Sequence, residues 1–231
     1  MSDDGLGSAP VRRGGGAATV LDRRRGVSGE LVLQERDGVL EIVADGTFLM
    51  DTRDGRSERL LVRAALAASA APVERVLVGG LGVGFSLLEA LGHPTVTSVV
   101  VVELEPTVVD WHAGPLRAVT AGALDDPRVA VVVADLADHL AAARAGGYDV
   151  VCIDTDNGPD WLVRPANRTI WSPHGLALAR RALAPAGVLA VWSAASSASF
   201  EARLRAAGFG TVDRHEVPVD RGEPDVVWVA S

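Results

Sequence analysis

Four places in the 231-residue sequence carry residue types and spacings that could do chemistry. In the stretch VLVGGLGVGF, Gly80, Gly82 and Gly84 alternate directly behind an apolar run. Glycine opens φ values closed to other residues and lets backbone come close to a ligand. Glu103 ends the run VTSVVVVE, 19 residues beyond Gly84, where a carboxylate can accept both hydroxyl protons of a ribose. Asp135 ends RVAVVVAD; it can accept from an exocyclic amine such as adenine N6, or cap the helix that follows. Asp154 and Asp156 lie in YDVVCIDTDNG. A carboxylate there can take a proton from a substrate amine or hold an ammonium, or simply brace its loop. The glycine turn, Glu103 and Asp135 together outline an adenosine pocket without a pyrophosphate.

The elements needed to hold these groups are legible around them. Val-rich runs at 75–78, 96–102, 129–133, 150–153 and 188–192 alternate with segments of helical spacing such as Leu136, Leu140 and Ala143. Near-continuous apolar strands between helices predict a parallel sheet covered on both faces. The expected fold is therefore α/β, doubly wound and mostly parallel, with GFGTVDRHEVPV and DVVWVA closing it as a C-terminal antiparallel hairpin across residues 220–224. Upstream, Asp37-Gly38 and Asp45-Gly46 punctuate short apolar stretches, predicting a small β-hairpin or meander over 29–54. Residues 1–28 are rich in Gly, Ser, Asp and Arg, too poor in apolar groups to offset ordering entropy, so a disordered arm is expected. The nucleoside-binding domain then spans 55–231.

Several functions are excluded or disfavoured. The dinucleotide fingerprint fails in both registers, because its third glycine position falls on Phe85 or Leu87. All 22 basic residues are arginine, so a P-loop lysine does not exist. The five histidines show no ligand spacing and no metal is expected; the serines at 193–199 lack a nucleophile elbow. A net charge of −8 disfavours nucleic acid as partner, and Arg23-Arg24-Arg25 is expected to be solvated. No apolar run is long enough for a membrane span. The lone Cys152, inside an apolar strand, is expected to be a small core residue, and a reducing cytoplasm is the simplest location. Trp161 and Trp171 could wall a cationic ligand but are expected to pack; Arg164 and Arg168 could meet an acceptor carboxylate or be solvated.

From about Val76 to Ser193 the chain resembles the spermidine synthase family of polyamine aminopropyltransferases, which share the S-adenosylmethionine-dependent methyltransferase fold. The resemblance is carried by GGLGVG at 79–84, Glu103-Leu104-Glu105, Ala134-Asp135-Leu136 and Asp154-Thr155-Asp156-Asn157. It implies a seven-stranded sheet, a Rossmann-like site for S-adenosylmethionine or its decarboxylated form, and a small amine acceptor. By the same resemblance Gly80, Gly82 and Gly84 cradle the donor, Glu103 holds ribose, Asp135 contacts adenine, Asp154 is the amine base with Asp156 beside it, and the enzyme is a homodimer. Departures shift the expectation. The family's turn aspartate, which holds the amino group of the decarboxylated donor, is Gly82 here, and its second aspartate after strand four falls on Asn157. The polyamine-gripping stretch reduces to Arg53-Asp54-Gly55-Arg56-Ser57-Glu58, without a tyrosine. The expected reaction is transfer of an alkyl group to an amine, methyl favoured over aminopropyl. A nucleoside-binding protein without catalysis is the alternative.

Overall fold

The computed structural model describes residues 16–219 and 222–231. Four strands, β1 (Thr19–Arg25), β2 (Glu30–Arg36), β3 (Val39–Ala44) and β4 (Thr47–Asp51), form an antiparallel sheet in chain order. Asp37 and Asp45 take positive φ ahead of Gly38 and Gly46, as two-residue hairpin turns require. Leu31, Leu33 and Ile42 project from this sheet into the main core.

Helix α1 (Arg56–Ala68) leads into a seven-stranded sheet of β5 (Arg75–Gly79), β6 (Ser98–Glu103), β7 (Val129–Val133), β8 (Tyr148–Ile153), β9 (Leu183–Ser193), β10 (Val212–Val217) and β11 (Asp225–Ala230). Its order is β10-β11-β9-β8-β5-β6-β7, parallel except where β11 runs against both neighbours. Side chains alternate across each strand. Val76, Val78, Val150 and Cys152 therefore face one core layer, while Leu77, Val151 and Ile153 face the other. Helices α1, α2 (Phe85–Leu91) and α3 (Pro106–Ala113) cover the first layer, through residues such as Leu61, Leu87 and Trp111. Helices α4 (Leu136–Ala142), α5 (Pro173–Ala182) and α6 (Ala198–Ala206) cover the second, through Leu140, Leu176 and Phe200. With both faces covered, the runs need no polar alternation, and Cys152 is fully buried.

The expectation of a disordered arm over 1–28 is corrected for its later part, since residues 19–25 form β1; residues 1–15 lie outside the described residues, as do Asp220 and Arg221 of the C-terminal turn. β1 is almost wholly exposed, so burial does not explain its order. It pairs along the open edge of β2, whose backbone groups would otherwise be unpaired. Trp111 donates its indole N–H to Asp22 (2.8 Å), and Arg24 pairs with Asp110 (2.8 Å). Apolar content alone carries no sign of this backbone pairing.

β5 pairs with β6 on one side and β8 on the other. That reversal of winding opens a crevice at the carboxyl ends of β5 and β8, where α/β sheets bind ligands.

Candidate active site

The crevice is a cavity of about 260 Å³ lined by residues from the β5, β6, β7 and β8 ends, α1 and the N-terminal sheet. Gly80 and Gly82 line it, with φ of +96° and +50°. A Cβ on Gly80 would collide with the Asp154 carbonyl oxygen, and one on Gly82 with the Met50 sulfur. Position 80 therefore needs glycine for both conformation and space, and position 82 for conformation. Gly84 caps α2 at φ +93° and backs the turn without lining the cavity.

Glu103 is buried at the tip of β6. It accepts from the Leu81 N–H (2.8 Å) and the Glu105 N–H (2.9 Å), tying the glycine turn to the second strand. Burial pushes its pKa up against the pull of these amides. Each oxygen keeps a lone pair for a further donor. Asp135 serves both of its sequence readings: it caps α4 by accepting from the Ala137 N–H (2.9 Å) and lines the cavity. Burial opposes its ionisation, but the Arg164 guanidinium at 2.8 Å and the Ala137 amide outweigh that and hold its carboxyl below the usual range.

Asp154 has a different setting. Its carboxylate accepts from the Ser86 hydroxyl, at 3.0 Å, and from no backbone amide among the described residues. Burial pushes it up to about 6, with the Asp225 charge adding to the shift. Glu58, on α1, lines the same cavity and is pushed up to about 8 by burial and by the Asp154 charge. Glu58 is not among the site residues expected from the sequence; the apolar spacing of α1 signals a helix but not that its polar face meets β8. Asp156 lines the cavity, yet its carboxylate accepts from the Val163 N–H, the Arg164 N–H (3.3 Å) and the Asn167 side chain (2.9 Å). It holds the loop after β8 in shape at a φ of +68°.

Among the described residues, seven acidic side chains line the cavity, against one arginine, Arg164, already paired with Asp135. Of the tryptophans singled out, Trp171 packs edge-on against Phe200 at 5.7 Å in the core, and Trp161 stands 61% exposed on the loop. Trp192, at the end of β9, lines the cavity instead. Among the described residues no cluster of His, Cys, Asp and Glu is arranged to hold a metal, and no helix is long and apolar enough to cross a membrane.

The sheet order and the glycine turn define a methyltransferase-like α/β domain. The family model for the spermine/spermidine synthase domain matches residues 57–201. A polyamine aminopropyltransferase of Mycobacterium tuberculosis is 34% identical over 86% of this chain and 38% of its own length. Putrescine N-methyltransferase 4 of Nicotiana tabacum is 33% identical over 66% of this chain and 36% of its own length. The chain belongs to the spermine/spermidine synthase family, and it spans under two fifths of the length of these relatives. Among solved structures, a spermidine synthase in complex with the transition state analogue AdoDATO superposes with a TM-score of 0.77 at 17% identity, over 91% of this chain and 73% of that one. The spermidine synthase of Thermotoga maritima gives 0.74 at 16% identity, over 91% and 71%. Both show the same fold.

Proposed function

We propose that this chain is the catalytic domain of a transferase that moves an aminopropyl group from decarboxylated S-adenosylmethionine to a primary amine of a small di- or polyamine. The observation that carries the reading is the acidity of the cavity, which among the described residues is lined by seven acids and one arginine, itself paired. Both substrates are polycations, which such a surface attracts and orients. S-adenosylmethionine itself carries an α-carboxylate, which would be buried among acids with no unpaired side-chain cation lining the cavity among the described residues. That acidity outweighs the preference for methyl transfer drawn from Gly82. One carboxylate is missing at the turn, while Glu58 and Asp154 supply two nearby.

In this reading the glycine turn lies under the nucleoside, Glu103 accepts from the ribose hydroxyls and Asp135 from the adenine amine. Asp154 receives the proton of the attacking nitrogen, whose lone pair then forms the new bond to carbon. The donor's sulfonium supplies the electrophilic carbon and leaves as a neutral thioether, taking the electron pair of the broken carbon–sulfur bond. Burial keeps Glu58 protonated up to about pH 8 in the free site; a bound acceptor ammonium favours its ionised form, which then holds that charge. Asp156 positions the loop.

Methyl transfer is the second reading, and the Met50 sulfur packed where a side chain on Gly82 would project favours it; the tobacco relatives are named for that reaction. Calorimetry with S-adenosylmethionine, its decarboxylated form and methylthioadenosine, followed by mass analysis of products made with putrescine, separates the two. Tighter binding of the decarboxylated donor and an aminopropylated product are expected. A methylated product selects the second reading, and binding without turnover by any amine leaves only nucleoside recognition.

A further inference from the structure

Behind the glycine turn, away from the cavity, α3 presents His112, which is 2% exposed. Its Nε2 lies 2.9 Å from the Gly82 carbonyl oxygen. A carbonyl only accepts, so the ring carries its proton on Nε2 and donates it there. Burial lowers the pKa of the ring, against the pull of the Gly82 carbonyl, and the neutral form prevails at neutral pH. The other nitrogen, Nδ1, has no partner among the described residues, and neither does the buried Thr120 hydroxyl.

A residue needed only for packing here would be apolar, since leucine or phenylalanine fills such space without bringing in a buried ring nitrogen that lacks a partner. The imidazole is accounted for by its bond to Gly82. The same ring also backs Gly84: a Cβ there would stand 3.1 Å from His112 Cε1 and collide with the Thr120 methyl. His112 thus supports Gly82 and Gly84 from the rear, and Thr120 supports Gly84.

We propose that His112 is a positioning residue for the nucleoside donor: by holding the Gly82 carbonyl back, it fixes the turn on which the donor lies. This rests on the adenosyl-donor reading above. His112 touches no reacting atom, so its effect falls on donor affinity and leaves the acceptor alone.

The test is calorimetry of methylthioadenosine binding to the wild-type chain, His112→Leu and His112→Gln, with thermal melting of each and KM measured separately for donor and acceptor. Loss of the bond in His112→Leu is expected to weaken nucleoside binding about tenfold, the scale of one hydrogen bond. Glutamine carries an N–H at a reach similar to Nε2, so His112→Gln is expected to recover to within about threefold of wild type. The acceptor KM stays unchanged in both. The proposal is overturned if His112→Leu binds like wild type, or if His112→Gln is as weak as His112→Leu while melting normally. Should His112→Leu fail to fold, His112→Asn, one methylene too short, replaces it; equal affinities in the Asn and Gln variants then overturn the proposal. A wild-type chain that ignores methylthioadenosine refutes the donor reading itself, a separate outcome.

Discussion

The two ends of the cavity use carboxylates in opposite ways. At the nucleoside end, Glu103 and Asp135 are each tied to backbone N–H groups, two for Glu103 and the helix amide of Ala137 for Asp135, which also meets Arg164. At the amine end, Asp154 has a hydroxyl donor and Glu58 stands near it; burial pushes both up, as it does Glu103, but the amides that oppose the shift at Glu103 have no counterpart at Asp154 among the described residues. An acid held by amides is a fixed acceptor whose place in space is set by the chain around it. An acid buried with few donors is costly to ionise, and it regains that cost when a cation or a proton arrives. The first arrangement suits recognition and the second suits proton transfer.

Substitutions at four positions put this contrast to the test. The largest effect is expected for Asp154→Asn, which removes the proton acceptor while keeping shape; turnover should fall by about 10²–10⁴-fold with methylthioadenosine affinity nearly unchanged. Equal losses in turnover and nucleoside affinity would erase the distinction between the ends. Glu103→Ala strands the Leu81 and Glu105 amides, so urea unfolding should show a loss of about 2–3 kcal/mol together with weakened nucleoside binding.

Glu58→Gln should raise the acceptor KM about tenfold, a typical loss for one charge-assisted contact, and should alter the pH dependence of stability. Because the Glu58 pKa is raised on folding, from 4.5 to about 8, the folded state holds the proton more tightly. Its contribution is fully present below the unfolded value and is lost as pH rises through about 8. Ligand-free protein should therefore lose stability as pH rises from about 5 to about 8, and the glutamine variant should show a flatter profile; the same slope in both would remove Glu58 from the pair. In the enzyme assay, the raised pKa of Asp154 places the loss of activity on acidification near pH 6. The smallest effect is expected at Trp161, which is 61% exposed on the loop; Trp161→Ala should shift stability by less than about 0.5 kcal/mol and leave both KM values close to wild type.

Much of the site is legible in the sequence. Gly80, Glu103, Asp135 and Asp154 each follow an apolar run at a strand end, and in a doubly wound sheet those ends converge at one crevice. Asp156 is legible as a loop carboxylate, but nothing local shows that the amides of Val163 and Arg164 and the side chain of Asn167 come back to it. Glu58 is obscured by its surroundings in the chain, because Arg53 and Arg56 just upstream suggest a stretch unfit for a cation. In the fold those arginines meet acids of their own, Arg53 at Asp51 and Arg56 at Asp54, and Glu58 faces the cavity.

The order of strands and helices, the glycine turn and the acids at the strand tips are settled along the chain, since apolar periodicity and steric freedom act between near neighbours. Three-dimensional packing decided that β1 would pair along β2, that Arg164 would reach Asp135, and that Glu58 and Asp154 would share one buried space. Those outcomes depend on which distant surfaces meet, and the desolvation that raises a carboxyl pKa exists only once they have met.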